Sequence, residues 1–242
     1  MPDASAYQKF AADQLGVDFK DLDLLVIAFT HRSYVNEHRK TTREHNERLE
    51  FLGDAVLELV VTEYLFTNHS EPEGILTNWR SALVRTESIS AAAAHLEFEP
   101  LLRLSRGEKR GTPRARAQIL ANCYEAVVGA LYLDQGYNVA RAFIEKSLLT
   151  TFSDILKNGS WLDPKSNLQE LVQSHEGFTP VYKVLSEEGP DHEKMFKIGV
   201  FVDGQLKGEG YGPSKQAAQV AAAHTALQNY KQPRVDNRGA DL

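Results

Sequence analysis

The 242-residue sequence has only one cysteine, no long apolar run and no excess of positive charge. Cys123 cannot form a disulfide within the chain, and we expect a reducing compartment. The longest uncharged apolar stretch, residues 24–29, is far shorter than the ~20 residues of a membrane-spanning helix. The first residues lack the basic segment and apolar run of a signal peptide. We therefore expect a cytoplasmic protein.

The charge balance excludes one way of holding nucleic acid. Acidic residues outnumber basic ones by 33 to 27, which gives a formal net charge of −6. The chain as a whole cannot attract nucleic acid by positive charge, although a local basic face could still do so. The hydrophobic content of 42% is ordinary for a globular protein. The length predicts one or two domains of ~150 residues.

The chain divides into parts with different patterns. Up to about residue 156, apolar residues recur every three or four positions between short breaks with glycine and proline. This pattern predicts an all-α domain over residues 1–156, followed by a polar linker over 157–162. Residues 163–231 are predicted to form a small α+β domain of order α-β-β-β-α. The polar residues 232–242 are expected to be a disordered tail.

The first elements of the second part have clear markers. Asp163 is a predicted N-cap and Pro164 a first helical residue, for a helix that runs to about His175. The alternating patterns of residues 180–185 and 194–202 predict two strands.

The remaining markers place a third strand and a final helix. Asp203 and Gly204 are typical of a two-residue hairpin turn. The glycine-rich residues 208–212 are interpreted as the turn that leads to Ser214, a predicted N-cap. The helix after it should end at about Tyr230.

Residues 45–58 carry four carboxylates on one side of a predicted helix. At ~100° per residue they fall within roughly 80° of one another; they are Glu47, Glu50, Asp54 and Glu58. The simplest interpretation is a solvated acidic face. Apolar residues, however, lie opposite the carboxylates and also beside them, which predicts a helix buried nearly all round. They are Leu49, Phe51, Leu52, Val56, Leu57, Leu59, Val60, Val61 and Leu65. Buried carboxylates must be paired, protonated or bound to a metal, and only Arg48 is nearby in sequence.

A second polar pair interrupts another apolar helix. Glu125 is the only charged residue between 117 and 133, and Asn122 shares its face. A lone buried acid can also be a structural hydrogen-bond acceptor, but two such helices favour a shared site. Oxygen ligands without histidine or cysteine suit Mg²⁺ or Mn²⁺ better than zinc. The histidines are scattered, and Cys123 is interpreted as a core residue.

Residues 45–54, with the sequence HNERLEFLGD, resemble the signature of the ribonuclease III family. Residues 119–134 resemble that family's second acidic motif, and the chain behind them resembles a double-stranded-RNA-binding domain. The resemblance implies an all-α endonuclease domain that works as a symmetric homodimer. It also implies metal-dependent hydrolysis of double-stranded RNA to 5′-phosphate products with short 3′ overhangs. The expected role is processing of rRNA precursors and other structured transcripts.

The resemblance also implies roles for single residues. Asp54 and Glu125 match catalytic carboxylates, and Mg²⁺, replaceable by Mn²⁺, would be held by Glu50, Asp54, Asn122 and Glu125. Glu47 matches the outer acid of the signature. Asn122 departs from the commonest pattern, which has Asp there; its oxygen can bind a hard cation but brings no charge.

Three residues of the second domain match RNA contacts of the family. Gln169 corresponds to the minor-groove contact of the first helix, His192 to the loop that enters the next minor groove, and Lys215 to the phosphate contact at the start of the last helix. The glycines before Lys215 could instead form a flexible turn or a nucleotide-binding loop. The order Ser-Lys argues against a P-loop. Two other functions stay open, a catalytically silent RNA-binding scaffold and a helical interaction protein.

Overall fold

The computed structural model describes residues 3–159, 161, 163–190 and 194–231. The chain separates after Trp161 into two compact units. No helix in the described residues is long and apolar enough to cross a membrane. The predicted tail, residues 232–242, and His192 lie outside the described residues.

The first unit is built from helices, as predicted. They are α1 Ala4–Phe10, which continues as a wider turn over Ala11–Leu15, α2 Leu22–Ala28, α3 Arg32–Glu37, α4 Glu47–Asn68, α5 Glu73–Val84, α6 Thr86–His95, α7 Pro113–Gln135, α8 Tyr137–Ser147 and α9 Phe152–Asn158. Short 3₁₀ turns lie at Glu99–Leu101, Glu108–Arg110 and Leu149–Thr151. Helix α9 continues two residues into the segment predicted as the linker.

The core of this unit surrounds α7, which packs against α2, α4, α6 and α8. Thr112 caps α7 by accepting the Ala115 N–H at 3.2 Å, and Pro113 is its first residue. The middle of α7, from Ile119 to Leu131, is buried except at Asn122 and Glu125. Asn122 and Glu125 therefore form a polar face on an otherwise apolar and buried stretch of α7.

The prediction that α4 is buried nearly all round was wrong. Phe51 is 82% exposed, Leu59 57% and Phe66 78%. Helix α4 packs against α5, α7 and α8, and the three side chains lie on the face that these helices leave uncovered. The apolar residues beside the carboxylates therefore differ in burial: Phe51 is exposed, whereas Leu57 and Val61 are fully buried.

Helices α4 and α7 touch through two glycines. A Cβ at Gly53 would overlap the carbonyl of Glu125, and a Cβ at Gly129 would overlap the carbonyl of Leu49. The backbones can therefore approach more closely than side chains would allow. This crossing brings the acidic segment of α4 next to the polar face of α7.

The second unit has the predicted order. It comprises α10 Pro164–Glu176, β1 Val181–Glu188, β2 Met195–Val202, β3 Gln205–Gly212 and α11 Lys215–Lys231. The strands form one antiparallel sheet in the order β1-β2-β3. Its core joins Ile198, Val200 and Val202 of β2 to buried alanines of α11 and to Leu168 and Val172 of α10.

The local predictions in this unit had mixed outcomes. The turn at Asp203 and Gly204 is confirmed, with φ values of 46° and 72°. Ser214 is confirmed as a cap, since its Oγ accepts the Ala217 N–H at 3.2 Å. The glycine-rich segment was interpreted wrongly as a turn, because it lies within β3. A Cβ at Gly208 would lie 2.6 Å from the Ala222 oxygen, so the glycines allow α11 to pack directly on the strand.

Candidate active site

The crossing of α4 and α7 gathers the predicted acidic residues. Glu50 and Asp54 lie on α4 on either side of Gly53, and Gly53 touches the backbone of Glu125 on α7. The start of α4 is fixed by Asn46, which is buried, donates its N–H to the Thr30 carbonyl at 2.9 Å and accepts the Glu50 N–H at 2.8 Å. The fold therefore holds the backbones that carry these carboxylates in a fixed relation.

The carboxylates affect one another's protonation. Burial, with smaller contributions from Asp54 and Glu50, raises the pKa of Glu125 to about 8. Burial and the charges of Glu47 and Asp54 raise the pKa of Glu50, while a hydrogen bond from Asn122 opposes the rise. Like charges that perturb each other in this way favour the neutral acid unless a cation is present.

Within the described part of the chain, Glu50, Asp54 and Glu125 form no ion pair. Other carboxylates of α4 do have partners. Glu47 pairs with Arg32 at 3.2 Å, and Glu58 pairs with Arg80 at 3.1 Å. The acidic stripe predicted on α4 is therefore divided into the ion-paired Glu47 and Glu58 and the unpaired Glu50 and Asp54. We call Glu50 and Asp54, together with Glu125 of α7, the acidic cluster.

The donor set of the acidic cluster fits a hard cation. Three carboxylates and a nearby amide supply oxygen ligands, which Mg²⁺ and Mn²⁺ prefer. In the arrangement that the structure describes, no three His, Cys, Asp or Glu side chains of the described residues are close enough to hold a metal ion. A cation would have to draw the carboxylates together. The metal ligands and catalytic residues stay predictions.

Asn122 lies beside the acidic cluster, but its oxygen faces the other way. Gln118 donates its Nε2–H to Asn122 Oδ1 at 2.7 Å, and the Asn122 amide lowers the pKa of Glu50. The sequence pattern alone did not single out Gln118. Its position one helical turn before Asn122 was the available signal, since residues i and i+4 of a helix are neighbours.

Two other predicted residues are placed clearly. Glu47 is partly exposed at the start of α4 and contacts Arg32 and, at 3.8 Å, His45. The negative charge of Glu47 contributes to the raised pKa of Glu50, although Glu47 is itself paired with Arg32. Cys123 is fully buried, its Sγ donates to the Ala28 carbonyl at 3.5 Å, and burial raises its pKa well above the ordinary value. A thiol in this position is a core residue and not a nucleophile.

The described RNA-binding candidates lie on the two helices of the second unit. Gln169 is exposed on α10. Lys215 begins α11, lies 5.5 Å from the centre of the Phe196 ring and pairs with Glu187 at 3.2 Å. The same carboxylate contacts Lys194 at 3.3 Å. Lys215 can therefore meet a phosphate only in competition with Glu187.

Comparison with known proteins assigns a family to each unit. A family described as Ribonuclease-III-like matches residues 21–152, and the double-stranded RNA binding motif matches residues 164–230. The chain is 44% identical to Ribonuclease 3 of Streptococcus gordonii over 220 residues, which are 89% of this chain and 93% of that protein. It is 43% identical to Ribonuclease 3 of Pelotomaculum thermopropionicum over 94% of this chain and 95% of that one. The solved nuclease domain of ribonuclease III from Campylobacter jejuni is 37% identical, with a TM-score of 0.52, over 57% of this chain and 96% of that domain. These similarities cover both units, and the chain belongs to the ribonuclease III family of endoribonucleases that act on double-stranded RNA.

Proposed function

We propose that this chain hydrolyses double-stranded RNA in a Mg²⁺-dependent reaction, with Mn²⁺ as a substitute, and leaves 5′-phosphates and short 3′ overhangs. The observation that carries the metal dependence is the acidic cluster. Glu50, Asp54 and Glu125 lack a cationic partner among the described residues, although neighbouring carboxylates have arginines. An RNA phosphate would add further negative charge at this place. The cluster therefore needs a cation before it can accept RNA.

The residues of the acidic cluster would hold the cation, and Asn122 would join them through its amide oxygen. Bound Mg²⁺ would supply activation of water and stabilisation of the leaving 3′ oxygen. Burial of Glu125 in the α4–α7 crossing keeps its carboxylate partly out of water, which strengthens its attraction to a cation. Asp54 is more exposed than Glu125.

The second unit would supply affinity for the RNA duplex. The start of α11 combines a helix N-terminus with Lys215, and both attract phosphate. Gln169 on α10 is exposed and available to a minor groove. Recognition of A-form shape suits substrates such as precursors of rRNA and structured regions of mRNA and tRNA transcripts.

The uncovered face of α4 supports a homodimer. Phe51 is largely exposed and borders a groove of about 790 Å³ whose lining includes Leu24, Ile27, Leu52 and Leu133. In the Campylobacter jejuni relative, a region of the nuclease domain is involved in dimer formation. Pairing of two copies through this face would remove its apolar side chains from water.

A cleavage assay with matched variants tests the proposal. A perfect RNA duplex is incubated with the parent, Glu125→Gln and Glu58→Gln, with Mg²⁺ or with EDTA. The parent should cut only with Mg²⁺, and Glu125→Gln should lose nearly all cleavage while it still binds the duplex. Glu58→Gln makes the same chemical change at a carboxylate that Arg80 neutralises, and it should cut like the parent.

Two results would contradict the proposal. Cleavage by Glu125→Gln at more than a tenth of the parent rate would show that the reaction takes place elsewhere. A parent that binds the duplex but never cuts it would favour the silent scaffold, for which the departure at Asn122 is the one specific observation.

A further inference from the structure

The side chain of Asn122 lies between those of Gln118 and Glu50, which interact with its amide group in different ways. On one side, Gln118 donates Nε2–H to Asn122 Oδ1 at 2.7 Å. On the other side, the Asn122 amide is near enough to Glu50 to lower the pKa of that carboxyl. The three side chains therefore follow one another from the exposed surface of α7 to the acidic cluster, with one hydrogen bond between Gln118 and Asn122.

Glu50 determines how the side-chain amides of Asn122 and Gln118 are oriented. An ionised carboxylate can only accept hydrogen bonds, so Asn122 must turn its NH₂ group toward Glu50 and its oxygen away. The oxygen then faces Gln118, which must present its own NH₂ group, and Nε2 is the donor observed. In this arrangement Asn122 offers hydrogens, and not an oxygen, to the space where a cation would bind.

We propose that Gln118 is a positioning residue whose amide reverses together with that of Asn122 when a divalent cation binds. The inference rests on the metal site of the proposed function. A cation repels the NH₂ group of Asn122 and attracts its oxygen, so the Asn122 amide has to turn over. Gln118 can follow because its amide has both a donor and an acceptor, and it then accepts from Asn122. A carboxylate at position 122 would need no reversal.

The side chain at position 118 then controls cation affinity through Asn122. Gln118→Glu leaves only acceptors at this position, which favours the Asn122 orientation with the oxygen inward. Gln118→Met has a similar length and no polar group, and water can replace the lost donor because the position is exposed. The N122D background removes the amide that position 118 orients, so only the effect of the added charge remains there.

The first test is a Mn²⁺ titration of the full chain without RNA, with free Mn²⁺ followed by electron paramagnetic resonance. We expect Gln118→Glu to lower the Kd about tenfold with Asn122 in place, and about threefold or less in the N122D background. Gln118→Met should stay within about twofold of the parent. Equal effects of Gln118→Glu in both backgrounds would overturn the inference, because charge alone would then explain them.

The second test needs no metal. Asparagine-selective ¹⁵N labelling gives a side-chain NH₂ signal for Asn122, identified by its absence from Asn122→Asp. In EDTA, Gln118→Glu should move this signal, since the NH₂ group exchanges one carboxylate partner for another on the opposite side. An unmoved signal would refute the inference even if Mn²⁺ binds. Absence of Mn²⁺ binding by both the parent and Asn122→Asp would refute the metal site instead, and the NMR result would still decide the amide orientation.

Discussion

Glu125→Gln should make the metal-free protein more stable at neutral and alkaline pH, although it should abolish cleavage. The carboxyl has a pKa of about 8 in the folded protein against an ordinary value of 4.5. Between these values the folded state keeps a proton that the unfolded state releases, so rising pH favours unfolding. Glutamine resembles the protonated acid in shape and has no charge to lose. The advantage of the variant should therefore be absent below pH 4.5, grow through this interval and level off above about pH 8.

The size of the effect follows from the same displacement. A pKa change from 4.5 to about 8 corresponds to about 5 kcal/mol by linkage. Glu125 retains some contact with solvent, which screens the charge, so we expect a gain of about 2 kcal/mol in the free energy of unfolding at pH 8.5. Mg²⁺ should reverse the order, because a ligand that binds only the folded parent stabilises it by mass action.

Urea unfolding in EDTA at several pH values, at one fixed protein concentration, measures this difference. The protein's two tryptophans, Trp79 and Trp161, both belong to the first unit, so their fluorescence reports the unit that contains Glu125. Glu58→Gln is the control, since removal of an ion-paired surface carboxylate should bring no gain. The reasoning is wrong if Glu125→Gln is less stable than the parent at pH 8.5, or if the difference does not change with pH.

Three further predictions concern packing, assembly and RNA affinity. Gly53→Ala should force α4 from α7 and lower the unfolding free energy by more than about 2 kcal/mol, whereas Gly74→Ala, whose Cβ meets nothing within 4 Å, should be neutral in urea unfolding; equal effects would contradict the close crossing. Phe51→Arg should halve the mass seen by light scattering if the uncovered face of α4 joins two copies, and Phe178→Arg, at an exposed residue of the second unit, should not. Glu187→Gln should free Lys215 and tighten duplex RNA binding about fivefold at low salt, with a smaller gain at high salt. Glu188→Gln makes the same charge change without a lysine partner among the described residues, and an equal gain there would refute a specific role for Glu187.

The sequence predicted which acidic residues of the first unit lie near one another better than it predicted their surroundings. The helical spacing placed Glu50 and Asp54 in a stripe of four acids, and Glu125 stood out as the lone charge of its helix, because charges are rare in such segments; the family resemblance then singled out Glu50, Asp54 and Glu125. It could not show which acids of α4 are neutralised. Arg32 and Arg80 reach Glu47 and Glu58 from other helices. Such pairs depend on tertiary contacts, and the helical period alone places all four acids of the stripe on one side.

Two errors in the sequence analysis share a physical cause. The glycine-rich segment before α11 has the composition of a turn, yet Gly208 lies in a strand because α11 packs against its backbone. Phe51 is of a residue type that is usually found in the core, yet the helices of its own chain leave it exposed. In both cases the surroundings of the residue depend on tertiary packing, and the local sequence pattern does not identify them. Gly53 and Gly129, isolated within long apolar helices, were the available signal for a close helix crossing.

The ion pairs on α4 fit the cation site that we propose at the acidic cluster. Burial of Glu125 beside Asp54 and Glu50 works against folding, since it raises the pKa of Glu125 to about 8. An arginine directed at the cluster would relieve that cost, as Arg80 does for Glu58. A fixed arginine, however, would occupy the place of a cation and would remain there after the reaction. In the proposed reaction, RNA phosphate would bring more negative charge to the same place, so RNA and the acidic cluster would meet only through mobile positive charge. On this proposal, cation binding and RNA binding should strengthen each other, and an acidic cluster without an ion pair is what such a coupling would need.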